Sequence, residues 1–167
     1  DCEDQFQWAF YEAEKESPSG RVMVEEYLPG PQVSTETLVD RGHCYTLGFS
    51  DRNYEWLDKT RPYMIENGGD APSSLSADEQ EEIVRTVESA ALALNIRSGV
   101  AKGDMVLTDE GAKVIEIAGR LSGGYFSTTQ IPLATGVNFI EQAIRLALGL
   151  PLHSAELIPS IRQAVAI

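Results

Sequence analysis

The chain has little of what several protein classes require. It has only two cysteines in 167 residues, Cys2 and Cys44, which lie far apart and form no Cys-x-x-Cys motif. Two cysteines are too few for a disulfide scaffold, so we expect a reducing, cytoplasmic environment. The two histidines, His43 and His153, are also widely separated and have no ligand-like neighbour in the sequence. We therefore assign neither histidine a role.

Basic residues are scarce as well. The chain has 13 lysines and arginines against 26 acidic residues, a formal net charge of -13. A surface of this sign repels nucleic acids and anionic membranes, and no cluster of basic residues provides a nucleic-acid footprint. No apolar run approaches the length of a membrane span, and the N-terminus is acidic, unlike a signal peptide. We predict neither a nucleic-acid nor a membrane partner.

The remaining composition is that of an ordinary globular domain, with 43% hydrophobic and 23% charged residues. Apolar periodicity predicts helices over Gln5–Glu16, Ser76–Asn95 and Asn138–Leu148, the second opened by a Ser76–Glu79 capping box. Alternation predicts strands over Arg21–Tyr27, Val33–Asp40 and Cys44–Phe49, and a hairpin over Gly99–Ile117. Asp51–Ser74 has no clear period and is predicted to be a long loop with room for short pieces of structure, of a kind that is often functional or mobile. These elements predict an α+β fold, an antiparallel sheet of about five strands with helices on one face.

Both ends of the chain are abrupt. It begins within a few residues of a helix, and Gln163–Ile167 has the pattern of a strand that starts at the very end. We expect the chain to be a piece of a longer protein; the alternative is that its natural termini are simply abrupt.

The hairpin carries the chemistry. Gly111 suits the last position of a three-residue loop, Asp109-Glu110-Gly111. That loop pairs Thr108 with Ala112, Val106 with Val114 and Asp104 with Glu116. Two carboxylates about 5 Å apart repel by roughly 3 kcal/mol at an effective dielectric of about 20, which favours a cation between them. Magnesium prefers such oxygen ligands and completes its shell with phosphate and water.

Two alternatives stand beside the metal site. Lys102 lies on the same face and is able to neutralise the carboxylates, and a one-residue slip in register would separate them. Arg120 and Gly123-Gly124 follow the hairpin. An arginine there suits charge on a transferring phosphoryl group, and glycines let the backbone approach a ligand, but an ordinary solvent-facing arginine fits equally.

Three motifs in this order resemble the ATP-grasp family. VMVEEYLPGPQVSTETLV (22–39) is similar to its hinge strand and the strand that follows. GVAKGDMVL with KVIEIAGRLSGG is similar to its paired metal-binding strands, and ATGVNFIEQAIRLALGLP (134–151) to the next helix. The resemblance covers nearly the whole chain and is strongest to the branch with carbamoyl phosphate synthetase large subunits, biotin carboxylases and glycinamide ribonucleotide synthetases. It implies the C-terminal part of an ATP-grasp domain.

The resemblance also implies roles for individual residues. Asp104 and Glu116 match the magnesium ligands, with manganese as a substitute, and Arg120 matches the residue that contacts the transferred phosphate. The positions that match ATP contacts are Glu25, Glu26, Tyr27 and Leu28 in the hinge, Val106 and Ile115 beside the metal ligands, and Glu36 near the triphosphate. Ala118 stands where many members have a metal-binding asparagine, which places a second metal in doubt. The family's two lysine-bearing strands and glycine-rich loop are absent from the sequence.

The implied activity is that of an ATP-dependent carboxylate–amine ligase. Such an enzyme activates a carboxylate as an acyl phosphate, which an amine then attacks; the carboxylate and the amine are not identified by the sequence. Without the absent lysines, the isolated chain is expected to be inactive. The alternative is a non-catalytic nucleotide-binding or scaffold domain with a degenerate site.

Overall fold

The computed structural model describes residues 3–61 and 63–166. In chain order its helices and strands are α1 (Glu3–Glu16), β1 (Gln32–Asp40), β2 (His43–Arg52), α2 (Leu57–Thr60), β3 (Gly69–Ala71), α3 (Ala77–Ala93), β4 (Ser98–Thr108), β5 (Gly111–Ala118), α4 (Ile131–Thr135), α5 (Phe139–Ala147) and β6 (Val165–Ala166). A π-helical turn, Phe126–Gln130, leads into α4, and a 3-10 turn spans Ser154–Leu157. Two parts of the predictions lie outside the described residues: Pro62 of the long loop and Ile167 of the last strand.

The strands form one sheet in the order β5-β4-β1-β2-β3-β6, and each neighbouring pair is antiparallel. The antiparallel α+β fold is therefore confirmed. The predicted long loop contributes both α2 and the short strand β3, which pairs with β2 and with β6. Within the described residues, no helix is both long and apolar enough to cross a membrane.

Helices cover both faces of the sheet, which corrects the prediction of helices on one face. Side chains alternate along β1, so Val33 packs on Ile83 and Val87 of α3. Leu38 points the other way and packs with Phe126 and the start of α5. Because α5 and the π-helical turn cover only part of this second face, the part near β4 and β5 is left open for a site.

The capping box of α3 is confirmed. The Ser76 hydroxyl accepts from the Glu79 backbone N–H at 3.4 Å, and the Glu79 carboxylate accepts from the Ser76 backbone N–H at 2.7 Å. The helix then buries Ile83, Val87 and Ala91 against the sheet. This packing holds β4 and β5 from behind.

The predicted strand Arg21–Tyr27 is wrong. In the part of the chain that the structure describes, residues 21–29 belong to no helix or strand. Met23 is 81% exposed and Val24 is 61% exposed. The apolar alternation has no neighbouring strand to pair with and no face to cover, so the segment remains an irregular connector.

Candidate functional site

A β-bulge in β5 brings the two predicted metal ligands together. Asp104 pairs with Glu116 as predicted, but the rest of the predicted register is wrong. Thr108 pairs with Gly111, Val106 with Lys113 and Met105 with Val114, so only Asp109 and Glu110 lie in the turn. The register shifts between Asp104 and Met105, where Ile115 is the extra residue of β5. Relative to the predicted register, the turn is one residue shorter and the bulge adds one residue, so Asp104 is opposite Glu116 in both.

Asp104 lies at the base of the open face and is well satisfied by protein groups. Its side chain is 9% exposed. Ser34 Oγ donates to its Oδ1 at 2.9 Å, Arg52 Nη1 lies 3.3 Å from the same oxygen, and Lys102 Nζ contacts Oδ2. Lys102 therefore neutralises Asp104, as the sequence alternative stated. A metal ion that uses Asp104 must share these oxygens or displace a cation from them.

Glu116 lies across from Asp104 and is exposed at a cavity of about 550 Å³. The cavity separates the hairpin from the irregular connector. It is lined by seven of the predicted site residues, Glu25, Glu26, Tyr27, Leu28, Asp104, Ile115 and Glu116, together with groups that include Arg52, Tyr54 and Met64. The bulge turns Ile115 outward, and its side chain is 38% exposed. The connector wall thus presents Glu25, Glu26, Tyr27 and Leu28, while the hairpin wall presents the paired carboxylates beside Ile115.

Val106 does not line this cavity. It is fully buried, beneath the connector at Gly30. Gly30 has a φ of +138°, and Leu107 N donates to the neighbouring Pro31 O at 3.0 Å. Val106 therefore supports the connector from below as a core residue and does not face the cavity at which the resemblance implied an ATP contact.

A second cavity of about 440 Å³ lies beside the first and carries Arg120. Its charged lining groups are Arg52, Lys102, Arg120 and Glu66. Ser122, Gly123 and Gly124 form another part of its wall. Lys102 and Arg52 are paired with Asp104, and Arg52 also with Glu66, so the three cations exceed these two carboxylates by one charge. The cavity therefore favours an anion. Of the predicted site residues, seven therefore lie at the first, acidic cavity, and Arg120 lies at the second, basic one.

Arg52 lines both cavities, and sequence reasoning missed it. It donates to Glu66 Oε2 from Nε at 3.0 Å and from Nη2 at 2.7 Å. Burial lowers the Arg52 pKa, but the hydrogen bond to Glu66 and the charge of Asp104 outweigh it, so the pKa lies above its ordinary value. Arg52 thus stays charged and joins Glu66 of the long loop to Asp104 of β4. A single arginine at a strand end has no motif that would have marked it.

Glu36 reaches neither cavity. It is fully buried, although the resemblance implied a position near a triphosphate. Its Oε1 accepts from Ser122 N at 2.9 Å, and its Oε2 accepts from Ser127 Oγ. It therefore fixes the loop that follows Arg120. Burial raises the pKa of Glu36 above 4.5, despite the opposing hydrogen bonds from Ser127 and Ser122.

The Glu36 pKa predicts a pH effect on stability. Because the folded-state pKa lies above the unfolded one, stability from this group falls as pH rises from about 4.5 through the folded pKa. Glu36→Gln removes this fall and retains an amide able to accept from Ser122 N. Relative to the parent, the variant is expected to gain free energy of unfolding between pH 4.5 and pH 7, as measured by urea unfolding.

The control is Glu16→Gln, which makes the same change in charge at the exposed end of α1. Its difference from the parent is expected to stay nearly constant over the same pH range. If the free energy of unfolding changes with pH in the same way in the Glu36→Gln variant and in the parent, the raised pKa of Glu36 is contradicted.

Comparisons with known proteins identify relatives of this sequence and of this fold. A family model described as an ATP-grasp domain matches residues 2–124. Carnosine synthase 1 of Gallus gallus is 29% identical over 131 residues, which are 78% of this chain and 13% of that protein. The L-amino acid ligase of Bacillus licheniformis has a TM-score of 0.70 at 28% identity, over 84% of this chain and 35% of that one.

A further structure shares the fold. The biotin carboxylase of Campylobacter jejuni, crystallised with β,γ-ATP, has a TM-score of 0.76 at 20% identity, over 99% of this chain and 36% of that one. The chain thus spans about a third or less of the length of each of these three proteins. With the family model covering most of the sequence, and with the sheet, hairpin and connector arranged as described, the chain belongs to the ATP-grasp family.

Proposed function

We propose that the chain forms the adenine- and magnesium-binding side of the ATP cleft in an ATP-dependent carboxylate–amine ligase. The observation that carries the proposal is the pairing of Asp104 and Glu116 at a cavity whose opposite wall is the connector Glu25–Leu28. A cavity of about 550 Å³ is of the size that small-molecule ligands occupy. The connector offers backbone groups for a purine edge, and Ile115 offers an apolar surface.

The donor set fits magnesium. Asp104 and Glu116 provide carboxylate oxygens, and magnesium typically uses one or two carboxylates with phosphate and water. Bound there, the ion would neutralise charge on the phosphates. Ala118 provides no ligand atom, which supports one protein-held metal ion rather than two. Lys102 and Arg52, which hold Asp104, are the groups with which the ion competes.

The basic cavity fits the transfer of the phosphoryl group. A substrate carboxylate oxygen would attack the γ-phosphorus and expel ADP; an amine would then attack the acyl carbon and expel phosphate. Arg120, Lys102 and Arg52 line this cavity together and would bind these anions and offset charge in the transition state. The similarity to a protein named as an L-amino acid ligase, and to a carnosine synthase, supports this class of reaction.

The test is calorimetric titration of the complete protein that carries this chain with ATP, in magnesium and then in EDTA. Magnesium-dependent binding is expected, and Ile115→Asp is expected to weaken it by about tenfold or more, because it places a charge against the adenine surface. Ile158→Asp serves as the control, since Ile158 is 70% exposed and lies at neither cavity. Equal ATP binding by the parent and Ile115→Asp would contradict the proposed adenine position.

The competing proposal is a scaffold with a degenerate site, which Ala118 favours. A scaffold is expected to give no heat with ATP in either magnesium or EDTA. Binding of ATP without ATP turnover would indicate a non-catalytic nucleotide-binding domain and not a ligase.

A further inference from the structure

A second group of metal-ligating side chains lies outside the two cavities. Glu141 on α5, His153 and Glu156 of the following 3-10 turn each offer one ligand atom, and these atoms lie within 4.8 Å of one another. All three side chains are exposed, so an ion can reach them from solvent. None of the three lines either cavity.

The buried Gln142 orients two of these groups. Its side chain is fully buried, accepts from the His153 backbone N–H at 3.0 Å and donates to Glu156 Oε2 at 2.9 Å. Asn138 Nδ2 donates to Glu141 Oε2 at 3.1 Å. Outer groups of this kind hold metal ligands in place and raise affinity. Hydrogen bonds from Gln142 and Asn138 therefore help to position the three ligands.

The cluster has two carboxylates, which attract a cation. Within residues 3–61 and 63–166, neither Glu141 nor Glu156 has a lysine or arginine partner. His153 Nδ1 lies 3.2 Å from Glu156 Oε2. Two ligand atoms on a tetrahedral ion, at metal distances of about 2.0–2.2 Å, are separated by about 3.4 Å. The observed spacing is that of a direct histidine–carboxylate contact, and it is also compatible with an edge of such a site, so a bound ion would take the place of this contact.

We propose that Glu141, His153 and Glu156 bind a divalent cation of the zinc class. One imidazole nitrogen with two carboxylate oxygens suits zinc, cobalt or nickel, whereas magnesium prefers oxygen ligands alone. Water completes the shell. The ion joins α5 to the 3-10 turn, and the chain between these two elements passes through Gly149 and Pro151. It therefore stabilises a part of the fold that lies far from the hairpin in the sequence.

The two histidines allow a direct test. Imidazole nitrogens of the 167-residue chain are observed by ¹⁵N-correlated NMR during titration with zinc chloride. The His153 signals are expected to shift and saturate at one equivalent, while those of His43 stay in place. Glu141→Gln is expected to weaken zinc binding by about tenfold or more, since it removes an anionic ligand.

The matched control is Glu81→Gln, an exposed glutamate on α3 that pairs with Arg85. It is expected to leave the zinc titration unchanged. Glu116→Gln is expected to do the same, which separates this site from the ATP cleft. Equal shifts at His43 and His153, no saturation, or unchanged affinity in Glu141→Gln would overturn the proposal.

Discussion

Glu116→Ala is expected to lower the magnesium-dependent ATP turnover of the complete protein by about 10²–10³-fold, the effect of removing one strong electrostatic contact in a transition state. Glu116 is the exposed member of the carboxylate pair, whereas Asp104 is already engaged by Ser34, Arg52 and Lys102. Glu116 is therefore the carboxylate free to accept an ion. The measurement is phosphate release at saturating ATP over a range of magnesium concentrations.

Glu110→Ala is the matched control on the same hairpin. Glu110 is exposed in the turn, and its carboxylate pairs with Lys113 at 2.6 Å. Its removal deletes the same charge without touching the cavity, so turnover is expected to stay near that of the parent. Parental turnover in Glu116→Ala would disprove the metal assignment, and an equal loss in both variants would point to general destabilisation.

Gly30→Ala is expected to lower the free energy of unfolding by about 2–4 kcal/mol. Gly30 has a φ of +138°, a conformation that residues with a side chain rarely adopt, and a Cβ there would overlap the backbone oxygen of Leu107. The connector must then move away from β4. Because Leu107 N donates to Pro31 O, amide exchange at Leu107 reports this movement directly, together with urea unfolding.

Gly20→Ala separates backbone preference from overlap. Gly20 has a φ of +67°, and a Cβ there would meet nothing within 4 Å. Its substitution is expected to cost only about 1 kcal/mol and to leave Leu107 exchange unchanged. If the two variants lose equal stability, the close approach of Gly30 to β4 is not what holds the connector.

The fold and the carboxylate pair were predictable because they depend on local patterns. Alternation located the hairpin, and the capping box located the start of α3 within one residue. The exact register was not predictable, since a two-residue turn with a bulge and a three-residue turn without one give the same opposition of Asp104 and Glu116. Nothing in the sequence pattern distinguishes these two hairpin geometries.

Other parts of the site depend on contacts between distant segments. Arg52 acquires its position from Glu66 and Asp104, which lie in different elements. Glu36 is positioned to hold Ser122, 86 residues further along the chain. The connector around Val24 was predicted as a strand because its alternation is real, but a strand also needs a partner, and partners are a property of the whole sheet.

The bulge of β5 has a consequence for how the length of this hairpin can vary. Deleting Ile115 alone would leave Val114 paired with Met105 and Glu116 paired with Asp104, so the ladder would become regular and the two carboxylates would stay opposite each other. What the deletion would remove is the side chain of Ile115 at the cavity. Homologues that lack the bulge residue are therefore expected to keep the carboxylate pair and to differ in the apolar surface beside it.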